Sequence, residues 1–127
     1  IVHELAHSVE ERYKDFIYSD QSLKKEFLGK RKRLYDILSA NDYKPLSKIA
    51  NVYVYDKEID MYFYKEVGYE AMWNIVVGLF PSPYSCTSLR EYFAVGFEEY
   101  FLRNRTELKR ICPILHNKLA ELEFPED

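Results

Sequence analysis

The chain has 127 residues, 47% of them hydrophobic and 31% charged, which is enough for one compact domain. Its formal net charge of −3 gives no general attraction to nucleic acid or to an anionic membrane. No apolar run approaches the roughly 18 residues that a membrane-spanning helix needs. We therefore expect one globular unit over residues 1–127, with no nucleic-acid partner and no membrane span. The composition leaves the oligomeric state open.

Hydrophobic spacing predicts a mainly α-helical chain. Apolar residues at helical intervals predict a first helix over residues 1 to about 16 and a second over 21–40. The Lys-Arg-Lys-Arg run at 30–33 could be a basic patch, but the acidic net balance favours a solvated helix face. Residues 52–55 are a candidate short strand, because valine and tyrosine fit a pleated surface.

The sequence of the middle of the chain predicts a capped helix followed by a proline-rich loop. Asp56 has the position of an N-cap, and residues 57–79 are expected to be helical with a break at Gly68. Residues 80–84, Phe-Pro-Ser-Pro-Tyr, cannot form a regular helix because proline removes a backbone donor and restricts its neighbours.

The last third of the chain carries two further helix signals. Ser88 and Glu91 have the capping-box spacing S-x-x-E and predict an aromatic-rich helix over residues 89 to about 103. Thr106 can cap a short turn, and Pro113 suits the first turn of a last helix. The twelve tyrosines are expected to fill the core and a cleft surface. The two cysteines could be buried thiols or could form one bridge.

His3, Glu4 and His7 form the pattern H-E-x-x-H at the start of the first predicted helix. Residues four apart share a helix face, so the two imidazoles can hold one Zn²⁺. Glu4 reaches the same space from the side and can take a proton from the water that the ion activates. His116, the third histidine, is interpreted as a surface residue rather than a ligand.

A hydrolytic zinc site needs a third protein ligand and an open position for water. Glu91 is the candidate ligand, since it opens a helix beside the proline-rich loop and could face a cleft there. The alternative is that Glu91 only closes the capping box with Ser88. Tyr84, seven residues earlier, could donate a hydrogen bond to an oxyanion, or could simply pack the loop.

The segment 84–101 has the sequence Tyr-Ser-Cys-Thr-Ser-Leu-Arg-Glu-Tyr-Phe-Ala-Val-Gly-Phe-Glu-Glu-Tyr-Phe. It resembles the second half of the zinc site in anthrax-lethal-factor-like peptidases. That family, which includes the Pro-Pro endopeptidases, carries H-E-x-x-H on one helix. Later in the family's sequence comes a tyrosine, and seven residues after it comes a glutamate. That glutamate begins a run like E-F-F-A-E-A-F. The resemblance covers residues 1–16 and 80–122.

The resemblance implies a zinc-dependent metallopeptidase acting on a peptide or protein substrate. It implies His3, His7 and Glu91 as ligands of one Zn²⁺, Glu4 as general base and Tyr84 as oxyanion stabiliser. It also implies a bacterial-toxin-like, secreted protein. The chain is then the helical, C-terminal part of a zincin-like catalytic domain, with the upstream β-sheet largely missing. The alternative is a zinc-binding fragment or pseudo-peptidase that is catalytically silent because it lacks this substrate-binding sheet.

The chain departs from the family pattern in two places. Four residues after the third ligand the family carries a carboxylate that orients a zinc-bound histidine, and this chain has Val95 there. Glu98, one turn further along, is the candidate substitute. The interval between His7 and Tyr84 is also longer, and residues 41–79 are a possible insertion that either walls the cleft or packs away from it. A helical interaction domain with an incidental motif is a third interpretation.

Overall fold

The structure, a computed structural model, describes residues 2–123. The predicted domain spans residues 1–127, and residues 1 and 124–127 lie outside the described range. The described part is mainly helical, as the sequence predicts, and it contains no strand. No helix within it is long and apolar enough to cross a membrane. The helices are α1 (Val2–Arg12), α2 (Lys14–Tyr18), α3 (Ser22–Ala40), α4 (Lys57–Met61), α5 (Tyr69–Val76), α6 (Leu89–Leu102), α7 (Arg105–Ile111) and α8 (Pro113–Glu123).

The first predicted helix is divided into α1 and α2. Tyr13 leaves helical geometry, with φ −111° and ψ 24°, although no glycine or proline marks the position. The break turns α2 so that Ile17 is fully buried in the core. The apolar spacing runs through Tyr13 without interruption, so the sequence pattern could not place this break.

The predicted strand at residues 52–55 is wrong, because this segment has no regular secondary structure. A strand needs a neighbouring strand to pair with, and residues 2–123 contain none. The backbone carbonyls of residues 52 and 53 instead accept hydrogen bonds from groups that do not belong to a strand. Val52 O accepts from the Arg31 guanidinium at 3.1 Å, and Tyr53 O accepts from the Leu89 backbone N–H at 2.8 Å.

Arg31, interpreted from the sequence as part of a solvated face, is fully buried. Its guanidinium donates to the carbonyl oxygens of Cys86 at 2.6 Å, Ile49 at 2.7 Å, and Val52 and Thr87 at 3.1 Å. Burial lowers the pKa of Arg31 to about 10, so the group is still cationic at neutral pH. One side chain of α3 is thereby hydrogen-bonded to four carbonyls from two separate loops.

The helical stretch predicted for residues 57–79 is present and breaks at Gly68, as expected. A π-helical turn, Tyr62–Val67, follows α4 directly, and α5 begins immediately after Gly68. Gly68 has φ +87°, a conformation that L side chains rarely adopt, so a glycine is required at this break.

The helix caps agree with the sequence in all but one place. Asp56 and Ser88 each accept a hydrogen bond from the backbone N–H three residues later, both at 3.1 Å. Pro113 is the first residue of α8. Thr106 is not a cap: Asn104 performs this role for α7, accepting from the Glu107 N–H at 2.9 Å.

Helix α6 forms the centre of the core and packs between α1 and α8. Gly96 allows the close approach of α8, since a Cβ at this position would lie 2.8 Å from Leu115 Cγ. Ala6 of α1 is fully buried on the other side. The helix that carries the H-E-x-x-H motif therefore lies directly against the helix that begins with Glu91.

The aromatic residues divide between core and cleft as expected. Tyr62, Tyr92 and Tyr100 are buried with the phenylalanines of α3 and α6, whereas the tyrosines near the histidines are partly exposed. Cys86 and Cys112 are buried free thiols, which settles the alternative left open by the sequence.

We predict that Arg31→Met lowers the free energy of unfolding by at least about 3 kcal/mol, because it leaves buried carbonyls without a donor. Urea denaturation followed by circular dichroism measures the change. Arg33→Met is the matched control, since Arg33 is exposed on the same helix and should change stability by less than about 0.5 kcal/mol. Equal effects of the two substitutions would contradict the role assigned to Arg31.

Candidate metal centre

The three residues predicted as zinc ligands lie together, and we call His3, His7 and Glu91 the metal centre. His3 Nε2 is 2.9 Å from one carboxylate oxygen of Glu91, and His7 Nε2 is 3.1 Å from the other. One ligand atom from each residue lies within 4.8 Å of the others. The structure thus brings the start of the chain against the start of α6.

Helix geometry and a cap explain this convergence. His3 and His7 are four residues apart on α1 and share one face, with ring centroids 4.8 Å apart. The Ser88 hydroxyl accepts from the Glu91 backbone N–H, which fixes Glu91 in the first turn of α6. Its carboxylate points towards the two histidines and is only 9% exposed. Within the described residues the carboxylate contacts the two histidines, and it accepts no hydrogen bond from the Ser88 backbone N–H that would close the capping box.

The donor set fits a zinc ion. Two imidazole nitrogens and a carboxylate are a common protein ligand set of hydrolytic zinc sites, where a fourth position stays open. Ligands about 2.1 Å from a tetrahedral ion lie about 3.4 Å from one another. The contacts of Glu91 with the histidines, at 2.9 and 3.1 Å, are a few tenths of an ångström shorter. Because the ligand atoms lie within 4.8 Å of one another rather than all at about 3.4 Å, the side chains would have to adjust around an ion.

Glu98 occupies the place of the missing carboxylate at Val95. Its Oε1 lies 3.0 Å from His3 Nδ1, the nitrogen that faces away from Glu91. Glu91 and Glu98 are seven residues apart, which is close to two helical turns, so both project from the same face of α6. A carboxylate on the outer nitrogen fixes the tautomer and the orientation of a ligand histidine.

Glu10, which sequence reasoning missed, lies near the outer nitrogen of His7 without a hydrogen bond to it. Its Oε1 lies 3.6 Å from His7 Nδ1, a buried nitrogen with no hydrogen-bond partner among residues 2–123. Glu10 is itself buried, accepts from the Tyr18 hydroxyl and lies 3.4 Å from Arg90. Its position three residues after His7, on the same helix face, was the available signal.

The surrounding charges perturb His3 and Tyr84. Burial lowers the pKa of His3, but the hydrogen bond to Glu98 and the charge of Glu91 outweigh it, so the pKa is raised overall. Burial, with the Glu91 carboxylate, raises the pKa of Tyr84 well above its ordinary value. The Tyr84 hydroxyl is protonated at neutral pH and can act as a donor. Its ring lies 5.9 Å from that of His3.

Glu4 and His116 lie outside the metal centre. Glu4 is exposed on α1, and within residues 2–123 its side chain has no hydrogen-bond or ion-pair partner. It is three residues from His7, and so about 60° from it around the helix. His116 lies on α8, where its ring packs 5.3 Å from that of Tyr100. His116 is half-buried there, and so less exposed than the surface position predicted from the sequence.

A cavity of about 530 Å³ adjoins the metal centre, and we call it the cleft. Glu91 and Tyr84 form one wall, and residues 53–55 with Asp60 form another. Part of the possible insertion at 41–79 therefore walls the cleft. The complete lining is Glu10, Lys14, Tyr18, Gln21, Lys24, Tyr53, Val54, Tyr55, Asp60, Tyr84, Thr87, Ser88, Leu89, Arg90 and Glu91.

Comparison of the chain with protein family models, with curated proteins and with solved structures finds no significant match. The resemblance to anthrax-lethal-factor-like peptidases stays a prediction that depends on the two motifs. The support for a function of this chain comes from the geometry of the metal centre and the cleft.

We predict that Glu98→Ala lowers the affinity for Zn²⁺ by roughly 10- to 100-fold, because His3 loses the group that orients it. Competition with a chromophoric chelator measures this affinity. Glu121→Ala on α8 is the control, since Glu121 is exposed and does not contact the centre. An unchanged affinity in Glu98→Ala would show that the contact with His3 is incidental.

Proposed function

We propose that the chain is a zinc-dependent metallopeptidase that hydrolyses peptide bonds. The observation that carries the proposal is the convergence of two imidazole Nε2 atoms and one carboxylate between α1 and α6. Two further carboxylates, Glu10 and Glu98, lie behind the histidines on their outer nitrogens. Incidental surface histidines lack such an arrangement, whereas a metal site depends on it.

Each residue has a distinct task in this proposal. His3, His7 and Glu91 hold one Zn²⁺, which when bound polarises the scissile carbonyl and lowers the pKa of water. Glu4 accepts the proton of that water and returns it to the leaving amine. Its exposure leaves the carboxylate open to the solvent from which water enters. Tyr84 donates a hydrogen bond to the oxyanion that develops on the carbonyl.

The surface around the metal centre supports a substrate that extends in two directions. Tyr84 borders the cleft on one side and a smaller cavity of about 260 Å³ on the other. The smaller cavity is lined in part by Tyr69, Trp73 and Glu98. A peptide that crosses the metal centre can place side chains in both cavities, as cleavage within a chain requires.

A zinc-binding but catalytically silent protein is the alternative function. It requires the same three ligands and the same affinity for zinc, so metal analysis alone does not separate the two. Hydrolysis of peptides by the zinc-loaded protein separates the two functions. Substitutions of Glu4 and Tyr84 then assign that hydrolysis to the metal centre.

We predict that Glu4→Gln abolishes peptide hydrolysis while the protein still binds one Zn²⁺, because the amide cannot accept a proton. A digest of a peptide library, analysed by mass spectrometry, measures hydrolysis, and elemental analysis measures the zinc. Glu11→Gln on the same helix is the control and should retain activity, since Glu11 is an equally exposed carboxylate that lies two helical turns beyond Glu4. Full activity in Glu4→Gln would refute the assignment.

We predict that Tyr84→Phe lowers kcat by about 100-fold with little change in KM, since loss of an oxyanion donor typically costs about 3 kcal/mol in the transition state. Steady-state kinetics on a peptide found in the library digest measure both constants. Tyr64→Phe is the control, because Tyr64 is exposed and lies outside both cavities. A change confined to KM would instead make Tyr84 a residue of substrate binding.

A further inference from the structure

The acidic groups of the cleft are already engaged within the protein. Glu91 contacts His3 and His7. Asp60 accepts from the Tyr55 hydroxyl at 3.0 Å, and Glu10 accepts from a tyrosine hydroxyl and lies beside a guanidinium. Within the described residues, these three carboxylates are the acidic side chains that line the cleft.

Two lysines of the cleft differ from these acids. Lys14 and Lys24 line the cavity, and among residues 2–123 neither has a carboxylate within ion-pair distance. The Lys24 Nζ lies 4.3 Å from the centroid of the Tyr53 ring, and the residue is half-buried. Contact with an aromatic face replaces only part of the hydration of an ammonium group. Arg90, the third basic residue of the lining, lies 3.4 Å from Glu10. Lys14 and Lys24 are therefore the cations of the cleft lining that have no ion-pair partner among the described residues.

The segment that contacts Lys24 is attached close to the metal centre. The Leu89 backbone N–H donates to Tyr53 O at 2.8 Å, so the segment that carries the Tyr53 ring is attached two residues before Glu91. Val54 and Tyr55 continue this wall and are 59% and 60% exposed. A group that enters the cleft from the metal centre thus meets an apolar and aromatic wall with an ammonium group beside it.

We propose that the cleft binds an acidic side chain, aspartate or glutamate, of the peptide substrate close to the bond that is cleaved. Lys24 supplies the main countercharge, Lys14 adds a second cation, and the aromatic wall contacts the methylene groups of the acidic residue. This inference rests on the proposed peptidase function, because it assigns the substrate preference of the same centre.

The first test measures binding without turnover. The zinc-loaded Glu4→Gln protein is titrated into fluorescent octapeptide pools that are random except for one fixed position, which is Glu, Gln or Lys. At one fixed position we expect the Glu pool to bind about tenfold more tightly than the Gln pool by fluorescence anisotropy. The Lys pool should bind most weakly. Equal binding of Glu and Gln pools at every position would overturn the proposal.

Substitutions of the lysine assign this preference to the cleft. Lys24→Gln should reduce the preference for Glu to less than about threefold, and Lys24→Arg should retain it, since the charge is kept. Lys25→Gln is the matched control, because Lys25 is the next residue of α3, is exposed and does not line the cleft. An unchanged preference in Lys24→Gln would also overturn the proposal.

A digest of the same pools by the zinc-loaded wild-type protein separates the two proposals. Cleavage without any preference for acidic residues would refute the role of the cleft and leave the peptidase function standing. Selective binding of the Glu pools by Glu4→Gln, without cleavage by the wild type, would refute the peptidase function and support the acidic specificity of the cleft.

Discussion

The buried guanidinium of Arg31 is the interaction on which the arrangement of the loops depends. It donates to carbonyls at residues 49 and 52 on one side and at residues 86 and 87 on the other. Among residues 2–123 no carboxylate lies within ion-pair distance of it, so backbone dipoles and the aromatic rings of Phe27 and Phe63 replace its hydration. Such a cation is costly to bury unless every donor is satisfied, which makes its geometry specific.

One loop held by Arg31 ends at the cleft, and the other ends at the candidate metal centre. The first continues into the segment 53–55 that walls the cleft. The second joins Tyr84 to Ser88, whose side chain caps α6 and fixes the backbone of Glu91. A displacement of the guanidinium would therefore move the wall of the cleft and the third ligand together. The metal centre needs this support because it joins two helices that are distant in the sequence.

The sequence predicts the features of this structure that follow from local chemistry. The histidine spacing, the caps at Asp56 and Ser88 and the break at Gly68 depend on residues a few positions apart, and the structure has each of them. The burial of Arg31, the break at Tyr13 and the irregular course of residues 52–55 depend on packing partners that no local pattern contains. Glu98 was recognisable because helix periodicity places it on the same face as Glu91.

The charge distribution around the histidines favours a cation over a merely structural cluster. Glu10, Glu91 and Glu98 all lie within 3.6 Å of an imidazole nitrogen, and two of them are among the buried residues. Proximity of three carboxylates with neutral histidines is unfavourable unless positive charge is brought between them. Protonation of an imidazole supplies one charge, and a divalent ion supplies two while it satisfies both Nε2 atoms and Glu91 at once. An ion that bound only the folded chain would also stabilise the contact of α1 with α6, and would thereby couple metal binding to folding.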